Sequence, residues 1–249
     1  MRDISYQLYS SRNFPPLSDT LMMLRDLGYA GVEGYGGLFE TDAATDMLRA
    51  ALDMTGLKMP TAHIGLDALQ ADPERILALA HTLGMTGVFV PFTPNQSRDA
   101  AGWAAFGQEL AEAGKPVLEA GLAFGWHNHA FEFADLGGAE RPLELILAAS
   151  DDLALELDVA WVARAGEDPL YWIDRLGERI LSVHVKDIAL PGEADDEDGW
   201  ADPGHGTLDW PAIADALTRT PAQHYIVEHD NPSDHRRFAS RAIEAARSF

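Results

Sequence analysis

The sequence predicts an α/β fold, a single-domain (β/α)8 barrel of the TIM type spanning residues 1–249. Three observations predict it. Runs rich in β-formers alternate eight times with runs of helical spacing. Strands separated by helices imply parallel βαβ units, and eight units in about 250 residues is the usual size of such a barrel. No low-complexity linker interrupts the series, so the chain reads as one domain. An open doubly wound sheet is the competing arrangement. It lacks support, because no glycine-rich phosphate fingerprint follows the first strand.

The elements follow in order. Ile4–Tyr9 (ISYQLY) alternates and reads as strand one. Ser18 is placed to cap a helix through Leu27, which Gly28 ends. Gly31–Tyr35 is strand two, and Asp42–Thr55 a helix stopped by Gly56. Lys58–Ile64 is strand three, and Asp72–Leu83 a helix stopped by Gly84. Gly87–Phe92 is strand four, with a long helix from about Arg98 to Ala120. Strand five centres on His127, and Pro142–Ala149 is the helix after it. Leu153–Val162 is strand six, Pro169–Leu176 a helix and Ile180–Lys186 strand seven. The acidic run Glu193–Asp198 reads as a solvated loop rather than a cation site. Trp210–Leu217 is helical, His224–Glu228 is strand eight, and a helix from about Asp234 closes the chain.

Alternation within the strands exposes polar groups aimed at the barrel axis. In Phe124–Phe133 (FGWHNHAFEF), strand geometry puts residues i and i+2 on one face, so His127 and His129 share it. In strand six Glu156 and Asp158 face in, between outward Leu155, Leu157 and Val159. In strand seven Ser182, His184 and Lys186 face in; in strand eight Ile226 and Glu228 do. The C-terminal strand ends of a barrel build its site. A lone inward His or Asp is readily a satisfied core residue, and Asp158 has a partner available in Lys186. Recurrence at three equivalent strand ends points instead to Asp158, His184 and Glu228 sharing one divalent cation. Carboxylate plus imidazole suits Mn, Zn, Co or Fe better than Ca.

Composition narrows the function. A formal charge of −22 repels phosphate backbones, so nucleic acid is not an expected partner. No run of eighteen apolar residues is present, so no membrane span is expected. The first residues carry no basic segment followed by an apolar one, which together with the absence of cysteine predicts a cytoplasmic protein without disulfides or thiolate metal sites.

The motifs QLYSSR (Gln7–Arg12), WHNHAFEF (Trp126–Phe133), ELDVAWVARAGEDP (Glu156–Pro169), HVKD (His184–Asp187), GHGTLDW (Gly204–Trp210) and YIVEHD (Tyr225–Asp230) occur in one order along nearly the whole chain. In that order the sequence resembles the sugar phosphate isomerase/epimerase superfamily, the xylose-isomerase-like TIM barrels. The HNH strand is similar to the branch of myo-inositol catabolism and keto-sugar enzymes. The resemblance implies one divalent metal ion, Mn foremost, with Zn, Co, Fe or Mg as alternatives. It implies ligands Glu, Asp, His and Glu at strand ends; Asp158, His184 and Glu228 match the last three. The place of the first falls at Trp126 or His127, where no Glu stands. His127 has inward parity. Glu132 is the nearest carboxylate, has the opposite parity and would have to curl back from a loop.

The activity implied is isomerisation or epimerisation of a small sugar, keto-sugar or cyclitol through an enediolate. A dehydratase or other lyase is the alternative; an endonuclease-like barrel or an inactive sugar-binding protein ranks lower. Glu228 is the first candidate proton carrier and His127 or His129 the second. Lys186 either stabilises an oxyanion or neutralises Asp158 or Asp187. Arg12, His63 and Trp161 are candidate substrate contacts, Trp161 with packing as its rival role. Glu33, His205 and His229 lie near the mouth without a task, and His81 and His235 fall on helices. The absence of a phosphate-binding loop favours an unphosphorylated substrate.

Overall fold

The computed structural model describes residues 3–249. The chain passes through β1 (Ile4–Gln7), β2 (Gly31–Tyr35), β3 (Lys58–His63), β4 (Gly87–Val90), β5 (Ala123–His127), β6 (Ala154–Asp158) and β7 (Ile180–Val185). A short antiparallel hairpin, β8 (Asp187–Ile188) and β9 (Trp200–Ala201), precedes the last strand, β10 (His224–Val227). All strands except the hairpin form one closed parallel barrel, sealed where β1 pairs with β10. The helices are α1 (Leu17–Leu27), α2 (Asp42–Thr55), α3 (Leu66–Ala71), α4 (Pro73–Leu83), α5 (Ala100–Glu119), α6 (Pro142–Leu147), α7 (Val159–Arg164), α8 (Pro169–Leu176), α9 (Trp210–Leu217) and α10 (His235–Ser248).

Local chemistry sets these boundaries. Asp72, Asp99, Asp168, Asp209 and Asp234 each cap a helix by accepting from first-turn N–H groups. Outward-facing Phe124 and Trp126 of β5, Leu155 and Leu157 of β6 and Val183 of β7 are fully buried under the helices. Burial of each such side chain contributes about 1.5–3 kcal/mol relative to exposure. Between Phe124 and Trp126, Gly125 lets β5 run tight against β6. A Cβ there would meet the Ala154 carbonyl oxygen at 1.9 Å. Among the described residues no helix is long and apolar enough to cross a membrane.

Several boundaries differ from the sequence reading, each for a local reason. Strand one ends at Gln7, whose side-chain oxygen accepts from Tyr9 N at 3.1 Å and starts a 3-10 turn over Leu8–Ser11. Strand six ends at Asp158 rather than Val162, because Asp158 Oδ1 accepts from Ala160 N and Trp161 N, both at 2.9 Å, and caps α7. Strand five stops at His127, and Phe131–Phe133 forms a 3-10 turn, so strand parity does not extend to His129. Helix α1 starts at Leu17 after Pro16, not behind a Ser18 cap. Helix α3 and the β8–β9 hairpin were not read from the sequence. The acidic run is not wholly solvated: Glu197 is buried and accepts from Arg237 Nη2 with both oxygens at 2.9 Å.

Candidate metal and substrate site

Polar side chains from six strands, and Glu228 directly after a seventh, meet inside the C-terminal end of the barrel in two storeys. The lower storey is largely hydrogen-bonded, with Glu33 Oε1 left without a partner. Gln7 Nε2 donates to Glu33 Oε2 at 2.8 Å, and the same oxygen lies 2.7 Å from His184 Nε2. Ser182 Oγ donates to Glu156 Oε1 at 2.7 Å, and His63 Nε2 binds Glu156 Oε2. The upper storey is His127, Asp158, His184 and Glu228, whose nearest donor atoms all lie within 4.8 Å of one another. A second group of the same kind, His63, His127, Glu156 and His184, overlaps the lower storey.

Distances decide which storey suits a metal. Ligand atoms about 2.0–2.2 Å from one Zn or similar ion sit about 3 Å or more from each other. In the lower storey the Gln7, His184, Ser182 and His63 contacts to Glu33 and Glu156 are shorter, although His127 Nδ1 and His184 Nε2 lie 3.2 and 3.3 Å from Glu156 Oε2. Above them, His184 Nδ1 is 3.0 Å from Glu228 Oε2 and 4.0 Å from Asp158 Oδ2. Asp158 Oδ2 is buried and has no hydrogen-bond partner, with only the Lys186 ammonium 3.7 Å away to offset its charge, so it has room for a closer cation. The donor set of two carboxylates and imidazole fits Mn, Zn, Co or Fe. The upper storey therefore has the geometry and the donors to hold one divalent ion.

Electrostatics separate the groups. Burial pushes the Asp158 carboxyl up to about 7 against the pull of Lys186. Burial opposes charge on Glu228 as well, but Lys186 and His184 hold it well below the usual carboxylate range. Burial lowers the His129 imidazole to about 3, with Lys186 adding to the effect, so it is neutral. Lys186 is fully buried, 2.6 Å from Asp230 Oδ2, 3.2 Å from Glu228 Oε2 and 3.7 Å from Asp158 Oδ2. Its ammonium also lies over the Trp200 ring, 4.1 Å from the centroid.

Each residue singled out in the sequence has a definite place. His127 joins the upper storey, with Nδ1 3.2 Å from Glu156 Oε2. His129 and Trp161 line the cavity together, their rings 5.2 Å apart, although neither stands on a strand. His63 lines the same cavity while bonding Glu156 below. Glu132 lies apart: Oε1 accepts from Trp126 Nε1 at 2.8 Å and Oε2 from His129 N at 2.9 Å, so the turn uses both oxygens. Arg12 stacks on the Tyr9 ring and donates to the Tyr9 and Asp230 carbonyls, and it does not line the cavity. Asp187 does not pair with Lys186; it accepts from Ile188 N, Gly204 N, Gly206 N and Leu208 N at 2.9–3.2 Å. His81 is exposed, whereas His235 is half-buried and stacked on Phe14. His205 is exposed, and His229 is buried behind the site.

Gln7, Glu33, Asn128 and Asp230 had no assigned role in the sequence reading, and Glu156 and Ser182 had only inward parity. Asn128 bridges strands by accepting from Asp158 N at 3.0 Å and donating to Asp158 O at 3.2 Å. Glu33 was placed near the mouth, yet it lies fully buried on the lower storey. Inward parity with Gly31 was its one available signal.

Above the upper storey opens a cavity of about 380 Å³, walled by Tyr9, Tyr35, Phe92 and Trp161 and reaching Glu228 and Asp230. The family model described as xylose isomerase-like TIM barrel matches residues 22–249. The chain is 25% identical over 244 residues to the rhizopine catabolism protein MocC of Rhizobium meliloti, covering 85% of this chain and 74% of that protein. A solved sugar phosphate isomerase/epimerase from Parabacteroides distasonis superposes with a TM-score of 0.82 at 19% identity, over 98% of this chain and 94% of that one. The probable 3-DHS dehydratase AsbF of Bacillus anthracis superposes with a TM-score of 0.78 at 12% identity, over 99% of each chain.

Proposed function

As the chain belongs to the xylose isomerase-like TIM barrel family, we propose that it is a divalent-metal-dependent isomerase or epimerase of a small sugar, keto-sugar or cyclitol, acting through an enediolate. The observation that supports this reading is the convergence of Asp158, His184, Glu228 and His127 donor atoms within 4.8 Å at the base of the cavity, with Asp158 Oδ2 buried and free of any hydrogen bond. Asp158, His184 and Glu228 would hold the metal, with His127 as the fourth donor in place of a carboxylate. The donor set suits Mn, Zn, Co or Fe, and the family resemblance puts manganese first among them. When bound, such an ion polarises a substrate carbonyl and makes the neighbouring C–H acidic.

The chain's own residues supply the rest. Glu228 reaches the cavity and is held ionised, so it takes the proton from carbon. His129 is neutral and lines the same cavity, so it relays the hydroxyl proton. Lys186 is enclosed by three carboxylates, which favours neutralising them over touching an oxyanion. Tyr9, Tyr35, Phe92 and Trp161 offer flat faces for the C–H edges of a ring. Lys186 is taken up by Asp230 and Glu228, and Arg12 by the Tyr9 and Asp230 carbonyls, so neither cation is available to a phosphate in the cavity. This supports an uncharged, unphosphorylated substrate over a sugar phosphate.

A second reading keeps the enediolate and loses water from it. Glu228, having taken the proton from carbon, would pass it to the departing hydroxyl, which leaves as water. An enone or diketone absorbance in the product identifies that course.

The test is turnover of unphosphorylated keto-sugars and cyclitol ketones in heavy water, with metal content measured in the same samples. Deuterium is expected on the carbon next to the carbonyl. Glu228→Gln is expected to lower exchange by about 10²-fold or more while the metal remains at least partly bound. Wild-type exchange in a metal-loaded Glu228→Gln variant would move the base elsewhere. Turnover without solvent deuterium would favour a hydride shift.

A further inference from the structure

Resting on that metal-dependent reading, we infer that Glu33 is a positioning residue that sets which nitrogen of His184 faces the metal. Glu33 stands on β2, and His184 stands on β7 with β1 and β10 between them. Glu33 crosses the barrel axis to reach His184 Nε2 at 2.7 Å. An oxygen of Glu33 accepts on the Nε2 side, so with Nδ1 facing a cation the ring hydrogen sits on Nε2 and points at Glu33. Nδ1 lies 3.0 Å from Glu228 Oε2, at hydrogen-bond length, and 4.0 Å from Asp158 Oδ2; a cation held by these carboxylates would take the Nδ1 lone pair and leave the Nε2 hydrogen to Glu33. Without Glu33 the Nε2 side keeps only the longer 3.3 Å approach of Glu156, so the ring is held less firmly toward the cation.

The neighbours of Glu33 fit this role. Gln7, its register partner on β1, donates to the same Oε2 at 2.8 Å and fixes the carboxylate plane. Glu156 also approaches His184 Nε2, at 3.3 Å, but its oxygens are engaged by Ser182 and His63. Glu33 is fully buried, and Oε1 has no hydrogen-bond partner, so burial works against keeping this group charged. Contacts of 2.7 and 2.8 Å are too short for Glu33 and His184 Nε2 to share a metal, which leaves orientation as its task.

The experiment uses the full chain and cobalt(II) as probe, reading affinity by chelator competition and ligand geometry by the visible spectrum. Glu33→Ala is expected to weaken cobalt binding 10–100-fold and to alter the visible bands. A merely structural role would lower the thermal midpoint of the metal-free protein and leave the bands unchanged. If Glu33→Ala does not fold, Glu33→Gln carries the test, with about tenfold weaker binding expected from loss of the negative charge. Wild-type affinity and spectrum in whichever variant folds overturn the inference. A wild-type protein that takes up no cobalt overturns the metal-dependent reading itself, and this inference with it.

Discussion

At the scale of residues, the WHNHAFEF stretch divides its labour one side chain at a time. Trp126 faces out and ties Glu132, His127 faces the metal donors, Asn128 clamps the Asp158 backbone, and His129 lines the cavity. Asp158→Ala and His184→Ala are expected to lose the metal, as elemental analysis would show. Full occupancy in both would remove the site. His127→Ala is expected to weaken metal affinity about tenfold or more, because it removes one donor of the upper storey. Glu132→Ala is expected to leave metal affinity nearly unchanged and to lower stability, because it strands Trp126 Nε1 and His129 N in the interior. The reverse pattern in a chelator titration would make Glu132 the ligand. Parity exposed Asp158, His184 and Glu228 in the sequence, since each ends or directly follows a regular strand. It could not place His129 or Glu132, which lie in a turn shaped by their own hydrogen bonds.

At the scale of elements, strand six becomes α7 within one residue because Asp158 is both an inward strand residue and a helix cap. ELDVAW alternates like a strand beyond that point, and only the capping geometry reveals the change. The β8–β9 hairpin poses the same problem. Its two strands are two residues each, too short for a periodic signal. Asp187 joins HVKD to GHGTLDW by gathering four backbone N–H groups, and a Cβ at Gly206 would lie 2.2 Å from its Oδ1. Glu197 then fastens the hairpin loop to α10 through Arg237, whose guanidinium also bonds Asp202. Although burial opposes it, Ser233 and Arg237 hold the Glu197 carboxyl down at about 2. A carboxyl with a depressed folded-state value adds stability above its unfolded value, roughly 4.3, and loses it as pH falls toward the folded one. Thermal midpoints between pH 7 and 2 should therefore fall less steeply for Glu197→Gln than for wild type, starting from a lower value at pH 7. Parallel curves would show that this pair does not couple hairpin stability to pH.

At the scale of the whole molecule, eight alternations in one chain were enough to read a closed barrel, because βαβ handedness and size leave few other arrangements. The lower storey was not legible, since it arises from side chains 26 to 151 positions apart that meet only once the barrel closes. The same closure sorts the tryptophans. Of the six in the chain, Trp103, Trp126, Trp172, Trp200 and Trp210 are no more than 2% exposed, whereas Trp161 is half-buried and walls the cavity. Trp161 also stands 5.2 Å from His129 and 5.0 Å from the Lys186 ammonium. Five indoles therefore emit from dry, fixed surroundings as a steady background, and one has its emission set by whatever fills the cavity. Titration with a keto-sugar or cyclitol should change the intrinsic fluorescence in proportion to occupancy, and Trp161→Phe should abolish that change while keeping the background. The protein thus carries its own optical reporter of ligand binding, with no label required.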